Sequence, residues 1–195
     1  MKKALLIIVI MLYVCESKAY NVVKSIYSHI DSIADTTVKD VPLGIGDKME
    51  DFKLYDYNDN VHYLSELQGN YIVLVFSSIT CGPCQAIKPI LEKFYRKYKE
   101  QVKMVTISGD PVYLWKEKPY GEVSWHEWND HNCGARIRRK YGIKLIPSFI
   151  LISPSGIIIN ICSDTKSLFK TIETYLQNEG NMEKGVSSSS HVVPM

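Results

Sequence analysis

The amino-acid sequence predicts an α/β domain: a central mixed β-sheet flanked by helices on both faces, with a β-hairpin as an N-terminal extension. Three observations predict it. Tyr71–Phe76 is an unbroken apolar run rich in β-branched residues, and Val102–Ser108 repeats it more loosely, as expected of parallel strands buried on both faces. Between the runs, Ile87, Ile90, Leu91, Phe94 and Tyr98 recur at spacings of three and four, the stripe of an amphipathic helix. Ser153-Pro154-Ser155-Gly156 is a turn sequence that joins Pro147–Ser153 to Gly156–Ile161, so these two strands add an antiparallel edge.

The elements follow in order. Met1-Lys2-Lys3, the eleven apolar residues Ala4–Val14 and the small residues of Ser17-Lys18-Ala19 form the pattern of a signal peptide over residues 1–19. Eleven helical residues reach about 17 Å, short of the roughly 30 Å hydrocarbon core, so the run is too short for a spanning helix. A lipid anchor at Cys15 is the alternative, since Leu12-Tyr13-Val14-Cys15 loosely resembles a lipobox. Residues 20–44 read as a lead-in: Val22, Val23, Ile26, Ile30 and Ile33 have near-helical spacing, and Pro42 and Gly44 mark a linker. The domain is expected over residues 45–178. Phe52–Tyr55 and Val61–Tyr63 flank a turn rich in Asp and Asn and predict a hairpin; Leu64–Leu67 adds a helical turn. After the second buried strand, residues 112–118 suggest a helical turn, and 119–132 read as irregular. Arg136–Tyr141 is expected to be helical and to stop at Gly142, a left-handed cap. Leu168, Ile172, Tyr175 and Leu176 mark a closing helix, and residues 179–195 lack a core pattern and are expected to be a disordered tail.

Composition limits the function classes. Of 195 residues, 46% are hydrophobic and 23% charged, which suits one globular domain with extensions. The net charge of +2 resides in residues 1–19, where Lys2, Lys3 and Lys18 face Glu16, so the remainder is neutral. Neither nucleic acid nor an anionic membrane is an expected partner, and Arg136, Arg138, Arg139 and Lys140 read as a solvated helix face. Four cysteines remain beyond residue 19: Cys81, Cys84, Cys133 and Cys162. They allow three full pairings, among which the sequence does not choose.

Cys81-Gly82-Pro83-Cys84 sits between a buried strand and a helix. At a helix N-terminus, free N–H groups and the macrodipole favour an anion, so the Cys81 thiol ionises more readily than a free one. The thiolate is the nucleophile in disulfide exchange. Two intervening residues let Cys84 close back on Cys81 and resolve a mixed disulfide. Pro83 suits the first helical turn, where its missing N–H costs nothing. Zinc would need ligands such as His131, Cys133 or Cys162, which form no second close pair, so no metal is expected.

The run Val73–Pro89, with its CGPC and a proline five residues after the second Cys, resembles a thioredoxin active site. Tyr141–Ile152 resembles the segment around the cis-proline of that family. The resemblance implies a cis Ile146–Pro147 bond and a substrate-seating surface of Gly82, Pro83, Ile146 and Pro147. Gly46-Asp47, Asp51–Leu54, Leu64–Leu67 and Gly69 further resemble the opening of the TlpA/ResA-like and peroxiredoxin-like branch, and Trp115 resembles the exported TlpA-like proteins of Bacteroidetes. That implies a thiol–disulfide oxidoreductase, most simply an extracytoplasmic disulfide reductase. It would be a monomer of the periplasm or cell envelope that acts on protein disulfides and draws electrons from a membrane donor of the DsbD or CcdA type. No cofactor beyond the cysteine pair is implied. Three departures stand out: Thr80 replaces the usual Trp before the first Cys, strand 71–76 has no buried acid, and Ile87 stands where ResA-like proteins often have Glu. No carboxylate for proton transfer to Cys84 can be named from sequence. Two alternatives remain. A peroxiredoxin-like peroxidase would use Ser78, three residues before Cys81, but lacks the upstream Pro. A thioredoxin-fold copper chaperone would more often space its cysteines CxxxC.

Overall fold

The computed structural model describes residues 41–117, 123–132 and 134–187. The expected signal peptide, Cys15, the lead-in up to residue 40, Cys133 and the tail residues 188–195 lie outside the described residues. The compact unit that holds every described element begins at Pro42. Its elements are β1 (Lys53–Tyr55), β2 (Val61–Tyr63), a 3-10 turn (Leu64–Leu67), β3 (Tyr71–Ser77), α1 (Gly82–Tyr98), β4 (Val102–Ser108), α2 (Val112–Glu117), β5 (His126–Trp128), α3 (Ala135–Lys140), β6 (Ser148–Ile152), β7 (Ile158–Cys162) and α4 (Thr165–Ser187).

The main sheet has the order β5-β4-β3-β6-β7. β3 pairs parallel with β4 over its whole length, and β4 pairs parallel with β5. β6 runs antiparallel to β3, and β7 antiparallel to β6. All seven residues of β3 are buried, which explains why its sequence shows no alternation. Alternate residues nevertheless serve two cores. Ile72, Leu74 and Phe76 join Ile137 and Tyr141 of the α3 region. Val73 and Val75 join Leu91, Phe94 and Tyr95 of α1 and Leu168 and Ile172 of α4. This is the thioredoxin-like arrangement, with β1 and β2 as a separate two-stranded hairpin.

Three segments differ from expectation. The stretch expected to be irregular contains β5, whose three residues pair with β4 at the sheet edge. His-Glu-Trp has no length to show a period, so only tertiary pairing makes it a strand. The hairpin is fastened to that edge: Tyr55 and Asn129 exchange two backbone hydrogen bonds of 2.9 Å. Tyr55 stacks on His131, Tyr57 on Trp115 and His62 on Trp128. Second, α4 continues to Ser187, past the predicted end of the domain at 178 and into the predicted disordered tail. The apolar stripe fades near Leu176, but the Tyr71 hydroxyl donates a 2.6 Å hydrogen bond to Glu179, which ties the helix down beyond the stripe. Third, the end of the expected linker belongs to the domain. Leu43 N–H donates to the Lys140 carbonyl, and Gly142, at φ 63°, approaches Pro42 so closely that a Cβ would lie 3.1 Å from the ring.

Candidate active site

β3 ends at Ser77, and the chain turns through Ser78–Thr80 into Cys81, which caps α1. The Cys84 backbone N–H donates to Cys81 Sγ at 3.3 Å, the orphan-donor arrangement expected of a helix start. Pro83 lies in the first turn and Pro89 inside the helix. Cys81 and Cys84 form a disulfide, with Cα atoms 5.2 Å apart. Their environments differ. Cys81 is half-buried, Cys84 is 1% exposed, and Gly82 and Pro83 are exposed. An incoming sulfur can therefore reach Cys81 and not Cys84.

The Ile146–Pro147 peptide bond is cis. It brings the Ile146 carbonyl oxygen 3.9 Å from Cys81 Sγ. A disulfide sulfur has no proton to give, so this is a contact; the reduced thiol would be a donor there. Ile146 and Pro147 are half-buried beside the pair, and Leu145 projects with 75% exposure. The Ile146 carbonyl thus lies against the half-open Cys81 sulfur, with Pro147 next to it in the chain and the exposed Gly82 and Pro83 following Cys81.

Beneath the Cys81 loop lies a buried carboxylate that sequence reasoning missed. Asp110 accepts from Ser78 Oγ at 2.7 Å, Ile79 N–H at 3.0 Å and Ser108 Oγ at 2.9 Å. Its own carbonyl accepts from the Asn129 side-chain amide. The Ser78 carbonyl in turn accepts from Cys81 N–H and Gln85 Nε2. Ser78 is therefore bound into a brace from β4 to the cysteine loop. The Ser and Asp residues involved are common in loops everywhere, and only their convergence marks them.

A second carboxylate, Glu127, is 9% exposed on β5. The Tyr57 hydroxyl donates to its Oε2 at 2.9 Å, while its buried Oε1 has no partner. Burial is the main cause that pushes its carboxyl up to about 7; the Tyr57 hydrogen bond and the Lys88 charge oppose the shift. Burial likewise lowers Lys88 on α1. Cys162 carries a free thiol, raised chiefly by burial. His126 and His62 both stack on Trp128; among the described residues no group of three or more His, Cys, Asp or Glu has ligating geometry.

The model of the AhpC/TSA family matches residues 45–161. Among curated proteins, nucleoredoxin of Xenopus laevis is 32% identical over 100 residues, covering 49% of this chain and 24% of that protein. The thiol-disulfide oxidoreductase ResA of Oceanobacillus iheyensis is 29% identical over 139 residues, 69% of this chain and 72% of that protein. The chain thus spans about a quarter of the length of the nucleoredoxins and nearly three quarters of ResA. Among solved structures, the thioredoxin domain of a thiol-disulfide oxidoreductase from Bacteroides vulgatus superposes with a TM-score of 0.60 at 21% identity, covering 68% of this chain and 98% of that one. At that identity the likeness concerns the fold.

Proposed function

The chain belongs to the AhpC/TSA family, and from that premise we propose that it is a thiol–disulfide oxidoreductase whose working pair is Cys81 and Cys84. One observation carries the reading: the two sulfurs are bonded at a helix N-terminus, one reachable and the other buried, beside the cis Ile146–Pro147 bond. In the reducing direction, the Cys81 thiolate attacks a substrate disulfide and one substrate sulfur leaves as a thiolate. Cys84 then attacks Cys81 Sγ, expels the second substrate thiolate, and restores the bond seen here. Cys84 N–H and the helix terminus stabilise the Cys81 thiolate before it attacks. Gly82, Pro83, Ile146 and Pro147 seat the substrate backbone.

The substrate class we propose is a protein disulfide, supported by the open approach to Cys81 and by the thiol-disulfide oxidoreductase name of the ResA relative. The basic and apolar pattern of residues 2–14 supports export, to the periplasm or cell envelope. Among the described residues no helix is long and apolar enough to cross a membrane. A membrane electron donor of the DsbD or CcdA type and a monomeric state complete the proposal. Insulin reduction by the wild type and Cys81→Ser tests it. Reduction by the wild type and none by the variant is expected; equal rates would overturn it. Peroxide consumption with a thiol donor, if faster than disulfide reduction, would instead favour a peroxidase.

A further inference from the structure

Cys84 must lose a proton before it attacks Cys81, yet at 1% exposure water has little access to it. β3 carries no acid, and neither does its neighbour in the register: Val75 aligns with Thr106 of β4. One strand further along the same row, Thr106 aligns with Glu127 of β5. Trp125, two residues before Glu127, reaches the Thr106 hydroxyl and packs in the core under α1, so Glu127 points to the α1 face of the sheet.

A contact between α1 and the β5 strand sets their relative level. Cys84, Lys88 and Glu92 lie along one ridge of α1, at intervals of four residues. Glu92 accepts from Ser124 N–H at 3.2 Å and Ser124 Oγ at 2.7 Å. α1 runs antiparallel to β5. Three residues from Ser124 to Glu127 advance about 10 Å along the strand. From Glu92, Lys88 lies about 6 Å and Cys84 about 12 Å back along the helix. Glu127 is therefore level with the turn that joins Lys88 to Cys84. The charged and titratable groups that act on it come from two other elements: the Tyr57 hydroxyl of the hairpin loop and Lys88 of α1.

We propose that the Glu127 carboxylate takes the proton of the buried Cys84 thiol as Cys84 attacks the mixed disulfide on Cys81. Oε1, buried and without a partner, is the oxygen that receives it. The step balances. Cys84–SH and Glu127–COO⁻ give Cys84–S⁻ and Glu127–COOH; Cys84–S⁻ forms the bond to Cys81 Sγ and the Cys81–substrate bond breaks. The departing substrate thiolate takes up one proton, and Glu127–COOH returns its proton to solvent. A carboxyl that burial pushes up to about 7 is a base matched to this task near neutral pH. The inference rests on the oxidoreductase reading above.

The test compares the full-length protein with Glu127→Gln, which keeps the size of the side chain. A mixed disulfide on Cys81 is allowed to resolve in single turnover, and substrate thiol release is followed against pH. Resolution is expected to slow by about tenfold or more and to lose its rise near pH 7. Attack by Cys81, followed in the Cys84→Ser background, should change less than about twofold. A carboxylate that acted only by its charge would hold Cys84 protonated, and its removal would speed resolution. Faster resolution, an unchanged rate and profile, or equal slowing of both steps each overturns the proposal. Should Glu127→Gln fail to fold, Tyr57→Phe serves: losing the hydrogen bond that lowers the Glu127 titration should move the rise to higher pH, and an unmoved rise overturns the proposal. If the wild type forms no mixed disulfide, the oxidoreductase reading itself fails. The proton-transfer step, which rests on that reading, then falls with it, whereas a mixed disulfide that forms but resolves independently of Glu127 overturns the proton-transfer step alone.

Discussion

The β3–α1 junction and the β5 edge belong to one sheet but are held together differently. At the junction, the reactive pair and its cap are sequence neighbours: Cys81 caps the helix that Pro83 and Cys84 begin, and one backbone N–H serves the sulfur. At the edge, the contacts that fasten the hairpin come from segments distant in sequence. Tyr57 reaches Glu127 across 70 positions, and Tyr55, Tyr57 and His62 stack on partners in α2, β5 and the loop after β5. The junction keeps a reactive sulfur half-open; the edge buries a carboxylate. Nucleophilic chemistry needs only a short local motif, whereas its adjustment depends on groups that the whole fold must bring together.

Breaking the junction gives the largest expected effect. Cys81→Ser should abolish disulfide exchange while the melting temperature of the reduced protein stays within a few degrees of wild type, checked by insulin turbidity and calorimetry. Breaking the edge should do the reverse. Trp128, 2% exposed and stacked with His62 and His126, loses these contacts and leaves a cavity on truncation. Trp128→Ala should cost about 3–5 kcal/mol in denaturant unfolding. Where it remains folded, its Cys81 should still react with an alkylating reagent.

Asp110 links the two regions, since it braces the Cys81 loop and its carbonyl is bound by Asn129 next to β5. Asp110→Ala strands buried donors and should cost about 1–3 kcal/mol. It should also slow exchange, because Ser78 no longer holds Cys81 N–H in place; a stability loss with an unchanged exchange rate would separate the brace from the site. The smallest expected effect is the pH dependence of Glu127. Its folded value, about 7, lies above the ordinary 4.5. Protonation therefore favours the folded state, and this stabilisation is complete below pH 4.5 and lost as pH rises through 7. Glu127→Gln should be more stable than wild type at pH 8 by on the order of 1–2 kcal/mol, with the gap closing toward pH 5 in urea melts.

The same contrast decides what was legible in the sequence. β3, α1 and the CGPC pair announce themselves in consecutive residues, and Tyr71–Phe76 is apolar throughout because both its faces are covered. The cis Ile146–Pro147 bond was legible through the resemblance of Tyr141–Ile152 to a known segment, since nothing in the dipeptide demands it. β5 was not legible, because three residues carry no period and only β4 and the hairpin define the strand. Glu127 escaped with it, because it stands two strands away from β3 on a strand that only tertiary pairing defines. Asp110 was hidden for a related reason, since its partners Ser78 and Ile79 are more than thirty positions distant. α4 outran its apolar stripe because a tyrosine hydroxyl on β3, invisible to any helical period, binds Glu179.

The central claim, that Cys81 attacks and Cys84 resolves, is tested most directly by trapping. Reduced Cys84→Ser protein is mixed with a protein disulfide and the products are analysed by intact mass and peptide mapping. A mixed disulfide that accumulates on Cys81, and that fails to accumulate on Cys84 in the converse Cys81→Ser protein, is the predicted result. Trapping at Cys84 in that converse variant, or no trapping at Cys81, would contradict it.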